Sequence, residues 1–413
     1  MALTKVSADM LQEGAGGSIT IQNTVKTASF TATAGEGYLV NTTSGSITVT
    51  MPSSPTLGDK VGIIDYYGNA STNLIQLTSS DKINGSTANF EINGDYTSVQ
   101  LLYAGTESGW VINYDSGDGV NAAPLTLQYL IVAGGGGGGA WSTSANSGGG
   151  GAGGLRTGSW SIAASNKGQV LTVTVGAGTA TGTGNSSQVS GTGISTIATT
   201  GGGRGSHSST DPISGGSGGG GGGAGEQQDG AAGNAGGYDP AEGNDGGASL
   251  PDTYPYRYYG EGGGGGAGAA GGSPVIATLK GGNGGVGATT TILSTTNAGT
   301  SSVGEVDSGY LYFAGGGGGG KGYNATGGTG GDGGLGGGGN GHNGGNNAQT
   351  GTANTGGGAG GNGAQSTRSG GSGVVILRVA SGDYSGTTTG SPDVYTEGSD
   401  KVIVFKGSGS FTI

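Results

Sequence analysis

Six glycines at 134–139 follow directly on Gln128-Tyr129-Leu130-Ile131-Val132-Ala133, so a strong strand former hands the chain to a run without side chains. The pattern recurs where Tyr310-Leu311-Tyr312-Phe313-Ala314 enters six further glycines at 315–320. A third strand-like stretch, Gly373-Val374-Val375-Ile376-Leu377-Arg378-Val379, closes the glycine-rich block. Glycine loses more conformational entropy on folding than any other residue, roughly 0.5–1 kcal/mol against alanine in regular structure. Runs of this length therefore need a compensating interaction that a side chain would prevent.

Glycine supplies 108 of 413 residues, against roughly 7% in an ordinary chain, so a conventional hydrophobic core cannot run through this block. Proline is too scarce, at 9 residues, and Gly-X-Y repeats too irregular for collagen. A flexible linker is the usual meaning of such composition. Here, however, the runs are closely spaced and bracketed by strands. The arrangement that uses bare glycine is a bundle of polyproline-II-like (polyglycine-II) helices. Each rises about 3.1 Å per residue with three residues per turn, so six glycines span about 19 Å. Such a helix has no internal hydrogen bonds, and its amides point outward in three directions. Without Cβ atoms, neighbours approach closely enough to satisfy those amides mutually, as buried backbone requires. Segments near 134–139, 148–154, 201–205, 215–225, 262–272, 281–287, 315–320, 327–341, 356–363 and 370–373 would form the layers, with Val286 and Leu335 marking an outer face. A calcium-binding nonapeptide roll would need many copies of the single Gly-Gly-Asp-Gly-Gly-Leu pattern at 330–335.

The net charge of −12, with 14 Lys and Arg spread thinly, argues against a basic surface for nucleic acid or anionic lipid. The chain has no cysteine and two histidines, which makes a transition-metal site unfavourable and a disulfide framework impossible. No stretch approaches ~20 consecutive apolar residues, and Met1-Ala2-Leu3-Thr4-Lys5 opens no signal-peptide core. The expectation is a protein made in the cytoplasm, without membrane insertion.

In order along the chain, residues 1–28 read either as a frayed terminus or as an attachment segment that orders on a partner. Residues 29–114 carry period-two alternation at 46–51 and 74–77, further strand runs at 99–103 and 109–112, and Asn-Gly turn signals at 84–85 and 93–94. This predicts a small β-sandwich or β-barrel. Residues 115–124 read as a hinge and 125–380 as the glycine-rich domain. Within it, 169–175, 275–279 and 290–293 read as strands. Residues 381–413 are expected to form a C-terminal β-hairpin turning at 407–409 and pairing back onto 125–132. The fold class is therefore all-β, with little or no α-helix.

Gly37-Tyr38-Leu39-Val40-Asn41-Thr42 and Ile47-Thr48-Val49-Thr50-Met51-Pro52 are followed by Gly58-Asp59-Lys60-Val61-Gly62-Ile63-Ile64-Asp65 and then by Gly109-Trp110-Val111. This order of elements resembles a β-module common in bacteriophage tail fibres, especially of phages infecting marine bacteria and cyanobacteria. The strand–glycine junctions resemble the glycine-rich domain of phage tail fibres and adhesins. The resemblance implies a virion component (a tail fibre or tail tip) that attaches to other virion proteins through its N-terminal part and forms homotrimers.

The richest segment for recognition is 238–261, with Tyr238, Tyr254, Tyr256, Arg257, Tyr258 and Tyr259. Tyrosine and arginine are enriched in binding hot spots and paratopes, and tyrosine faces stack on sugar rings. The same tyrosines could instead pack as a lid over a bundle poor in side chains. Trp141 and His207 are further loop candidates. No phosphate loop with its helix and Lys-Ser/Thr, and no nucleophile elbow with partners, is present. The acidic residues between 226 and 261 could pair for glycoside hydrolysis, though solvation of an acidic surface explains them. No cofactor is expected. The expected function is a non-enzymatic adhesin binding a host surface glycan or outer-membrane protein. A structural virion decoration and a polysaccharide depolymerase are the alternatives.

Overall fold

The computed structural model describes the chain except residues 1–18, 116–119, 123, 140–146, 164–165, 208–209, 223–226, 252–259, 323–326, 344–347 and 363–367. The described residues are mostly β, with one short α-helix, Thr295–Ser301. They divide into two units: 1–126 with 161–167 and 380–384, and the remainder.

The first unit is a β-sandwich. One sheet runs in the order Thr20–Ile21, Glu36–Val40, Lys60–Asp65, Ser98–Tyr103, Trp110–Asp115. The other runs Val120–Ala122, Phe90–Ile92, Ile75–Thr78, Ile47–Thr50, Phe30–Thr31. Alternate residues point inward, as the period-two pattern dictates. Tyr38, Val40, Val49, Ile63, Leu77, Ile92, Leu101 and Trp110 meet in one apolar core. Two boundaries move from those expected. Thr20–Ile21, within the supposed attachment segment, pairs in parallel with Glu36-Gly37. Val120–Ala122, within the supposed hinge, pairs with Phe90–Ile92.

The second unit combines sheets with the glycine bundle. Its central sheet runs Leu155–Ile162, Leu125–Val132, Val374–Ala380, Asp400–Phe405, Asp393–Glu397. One face packs Leu130, Val132, Val374, Ile376, Val402 and Val404 against Leu293, Ala298, Leu311 and Phe313. The alternate residues Tyr129, Ile131, Val375, Leu377, Ile403 and Phe405 are buried too. Covering on both faces is why 130–132 and 374–377 read as continuous apolar runs rather than alternations. A second five-stranded sheet (Ile197–Thr199, Ser187–Gly191, Val170–Thr174, Gly409–Thr412, Thr388–Thr389) and a three-stranded one (Ala288–Thr290, Tyr310–Phe313, Glu305–Asp307) complete the unit.

The expected C-terminal hairpin is not formed. Asp400–Phe405 lies between Val374–Ala380 and Asp393–Glu397, whereas Gly409–Thr412 joins the other sheet against Val170–Thr174. Leu125–Val132 pairs instead with Val374–Ala380, from Gln128↔Arg378 to Val132↔Val374. The turn at 406–408 therefore switches sheets, because Val404 and Phe411 each have a different buried apolar row to join. Residues 275–279 likewise form no strand. They make an exposed turn around the 3-10 segment Ile276–Thr278, closed by paired bonds between Val275 and Lys280. Ile292 and Leu293 are buried just before the helix rather than extending Ala288–Thr290.

Candidate functional site

The glycine runs are polyproline-II-like segments bonded in a period of three. Along 134–139, the N–H groups of Gly134 and Gly137 donate to Asn185 and Gly182 at 3.0 and 3.2 Å. Those of Gly135 and Gly138 donate to Gly371 and Arg368 at 2.9 and 3.2 Å, and those of Gly136 and Gly139 to Gly151 and Gly148 at 2.9 and 3.3 Å. In return, Gly134 and Gly137 accept from Gly202 and Gly205, Gly135 from Thr179 and Gly136 from Ala359. One run thus touches six others. The run 315–320 repeats the design, donating to 336/339, 285/282 and 150/147 and accepting from 358/361, 334/331 and 264/261.

Close approach leaves no room for Cβ. An added Cβ at Gly135, Gly136, Gly149, Gly264 or Gly317 would stand well under 3.0 Å from a neighbour's carbonyl oxygen. Each run therefore requires glycine because of its neighbours, not because of its own torsions. Two alanines of the runs, Ala152 and Ala314, belong to the apolar cluster beneath the central sheet. Val286 is exposed, as expected of an outer face. Two expected segments are each a pair of runs. Residues 327–341 turn back at Leu335, with Gly336 and Gly337 at φ of 101° and 90°, and 262–272 reverses near 267–269.

The directions of the runs give the bundle two different ends. At one end the runs join the strands. At the other, Gly139, Ser147, Ser206, His207, Gln228, Glu261, Gly320, Lys321, His342 and Asn362 form the last layer. Ser147 anchors it: its single hydroxyl proton is shared between the carbonyls of Gly139 and Asn362 (2.9 Å to Asn362), and its Oγ accepts the Asn362 N–H at 2.7 Å. Its carbonyl accepts from Gly320 at 3.1 Å, and its backbone bridges His207. Lys321 donates to the His342 carbonyl, and the His342 N–H to Gly361. The single hydroxyl proton of Ser206 is shared between Gln228 Oε1 and the Thr210 carbonyl, the latter at 2.7 Å. Ser147, Ser206, Glu261 and Asn362 of this layer are buried, as is Ser249 beside Gln228, whereas His207, Gln228, Lys321 and His342 are partly exposed. Burial, and then the charge of Arg204, holds His207 below its ordinary pKa, so it is neutral at pH 7.

Residues 140–146, 208–209, 223–226, 252–259, 323–326, 344–347 and 363–367 lie outside the described residues. Trp141, Tyr254, Tyr256, Arg257, Tyr258 and Tyr259 lie in them, and His207 borders one. The base of 252–259 is fixed, since Leu250 N–H bonds the Gly260 carbonyl at 3.1 Å and Pro274 lies against Gly260.

Tyr238 is not with them. It lies at the strand-side end, in a turn where Asn234 bonds its N–H and carbonyl and where the Arg156 guanidinium sits 4.1 Å from its ring centroid. Beside it Glu242 is buried, its Oε2 accepting the Thr200 N–H at 2.8 Å and its Oε1 without a hydrogen bond. Burial raises the pKa of Glu242, against the Thr200 and Gly236 N–H groups and the Arg156 charge. Glu242 is one of the acidic residues between 226 and 261 that the sequence singled out, whereas the Ser147–Asn362 anchor was missed. The polar residues that interrupt or end each glycine run were the available signal.

Among the described residues no group of three or more His, Cys, Asp or Glu stands together as a metal site. No helix among them is long and apolar enough to cross a membrane. No curated protein matches the chain. The family model of the glycine-rich domain matches residues 118–380, more than half the chain and the whole of the bundle. The chain belongs to the glycine-rich domain family.

Proposed function

We propose that the chain is a non-enzymatic adhesin of a phage virion, a tail fibre or tail-tip protein that presents loops to a receptor on the host surface. One observation supports this reading above the others. Glycine runs bonded backbone to backbone alternate with polar segments, and Leu250 and Gly260, on either side of the tyrosine-rich residues 252–259, are bonded to each other. Function concentrates on loops held by a rigid scaffold. An added Cβ at most run glycines would meet a neighbour's backbone, so variation between related proteins is expected in the segments between the runs. Such a design changes specificity by replacing loops. The N-terminal unit would serve attachment to other virion proteins, and trimer formation, implied by the tail-fibre resemblance, would multiply the contact faces.

The test is adsorption of fluorescently labelled protein to candidate host cells, with Tyr254, Tyr256, Tyr258 and Tyr259 changed to Ser together. Hot-spot tyrosines contribute 2 kcal/mol or more when truncated, so adsorption should fall by about tenfold or more with the melting temperature unchanged. Adsorption equal to wild type would remove this segment from the contact. Failure of the unaltered protein to adsorb to any host would favour a decoration role, and release of sugar from host polysaccharide would favour a depolymerase.

A further inference from the structure

The N-terminal unit carries a second exposed aromatic group, built on a strained backbone. Strand Lys60–Asp65 runs into Tyr66 and Tyr67, whose rings meet edge to face with centroids 5.0 Å apart. Tyr67 is 53% exposed, and Tyr96, on the loop before Ser98–Tyr103, is 68% exposed. Tyr96 has a backbone φ of 58°. A bulky side chain in the left-handed region is a genuine outlier, because its Cβ crowds the following carbonyl.

Asp65 holds it there. This side chain is 1% exposed, and its Oδ2 accepts the N–H groups of Asn69, Ala70 and Tyr96 at 2.9, 3.2 and 3.0 Å. One buried carboxylate therefore fixes both loops. Asp95 Oδ1 adds a tie, accepting the Ser71 N–H at 2.9 Å. Gly68, at φ +67°, makes room for the ring: a Cβ there would stand inside the Tyr96 aromatic ring. An asparagine or glycine at 96 would satisfy the turn without strain. The sequence instead keeps a tyrosine, whose ring lies against Gly68, next to Tyr67, and leaves most of its surface exposed. Strain that the surroundings over-determine, at a site where it contributes nothing to the core, marks ligand clamps and recognition surfaces.

We propose that Tyr66, Tyr67 and Tyr96 form a saccharide-binding surface for neutral hexose units, separate from the loops of the bundle. The electron-rich faces of tyrosine attract the weakly positive C–H face of a pyranose, and their hydroxyl edges bond its hydroxyls. Asp95, exposed beside Tyr96, adds a hydroxyl acceptor and repels carboxylated or phosphorylated sugars. The ligand class that fits is a neutral surface glycan. This surface stands whether or not the bundle loops bind a receptor.

The experiment uses the full chain and saturation-transfer NMR with calorimetry. The probes are neutral gluco-, manno- and galacto-tetrasaccharides and a uronic-acid tetrasaccharide, and the variants are Tyr67→Ser and Tyr96→Asn. At least one neutral probe should bind and the uronate should not. Each variant should weaken binding by about tenfold, the worth of one stacked ring. Tyr96→Asn should melt at or above the wild-type temperature, since it relieves the left-handed strain while removing the ligand contact. Binding unchanged in both variants, no neutral probe bound by wild type, or a lowered melting temperature in Tyr96→Asn would overturn the proposal.

Discussion

A single methyl group distinguishes the two kinds of glycine in this chain. At Gly135 a Cβ would press on the Gly357 carbonyl, in a layer with no side chain to move aside. Gly135→Ala should cost about 3 kcal/mol or more, from overpacking and from hydrogen bonds pulled apart. Gly182 meets nothing within 4 Å, so Gly182→Ala should be neutral or stabilise by about 0.4–1 kcal/mol through the unfolded state. Denaturant melts of the pair check this, and equal effects would contradict it. Two carboxylates extend the reasoning to pH. Glu242 has a folded pKa raised by burial, so its contribution is most favourable when protonated and is lost as pH rises past the unfolded value. Glu242→Gln should therefore be more stable than wild type at pH 8, with the gap closing by about pH 4. Glu397 has the opposite sign. Burial would raise it, but bonds from Ser294 and Asn297 and the Arg378 charge hold it below its ordinary value. Glu397→Gln should cost stability at pH 7, and the difference should vanish as the wild-type carboxylate is protonated in acid. Thermal melts across pH 3–8 check both signs.

At the scale of elements, the sheets are tied to the bundle by caps as well as by chain continuity. Glu305, on Glu305–Asp307, accepts the N–H groups of Gly336 and Gly337 at 2.7 and 2.8 Å, both in a buried turn. Glu305→Ala leaves two buried donors unmet and should destabilise by about 2 kcal/mol or more, read from denaturant melts. The strands flanking the glycines were the most legible part of the sequence: 128–133, 310–314 and 372–379 all appear as strands, with ends within three residues. Their signal is local, a row of β-branched and aromatic residues ended by glycine. What was not legible depended on distant partners. The pairing of Asp400–Phe405 with Val374–Ala380, and the switch of Gly409–Thr412 to another sheet, follow from which buried row each strand joins. Val275 and Ile276 read as strand from composition but sit exposed in a turn, which Val275 closes by bridging Lys280 four residues past Ile276. Of the candidate site, the residue types were readable, but their grouping was not. Only the run directions separate Tyr238 from His207, and only packing reveals the Asp65–Tyr96 strain.

Across the whole molecule, the account rests on glycine runs that satisfy one another's amides and so hold one end of the bundle as a fixed platform. Stability there comes from backbone pairing rather than apolar burial. Hydrogen exchange resolved over the glycine runs tests this most directly. The amides of Gly135, Gly136, Gly149, Gly150, Gly264, Gly316, Gly317 and Gly358 each donate at 3.1 Å or less to a carbonyl of another run. They should exchange only through global unfolding, as slowly as the amides of Leu130 and Ile376 in the central sheet. Exchange of these glycines at the rate of an unstructured peptide, beside protected strands, would show that the runs are linkers and would contradict the account.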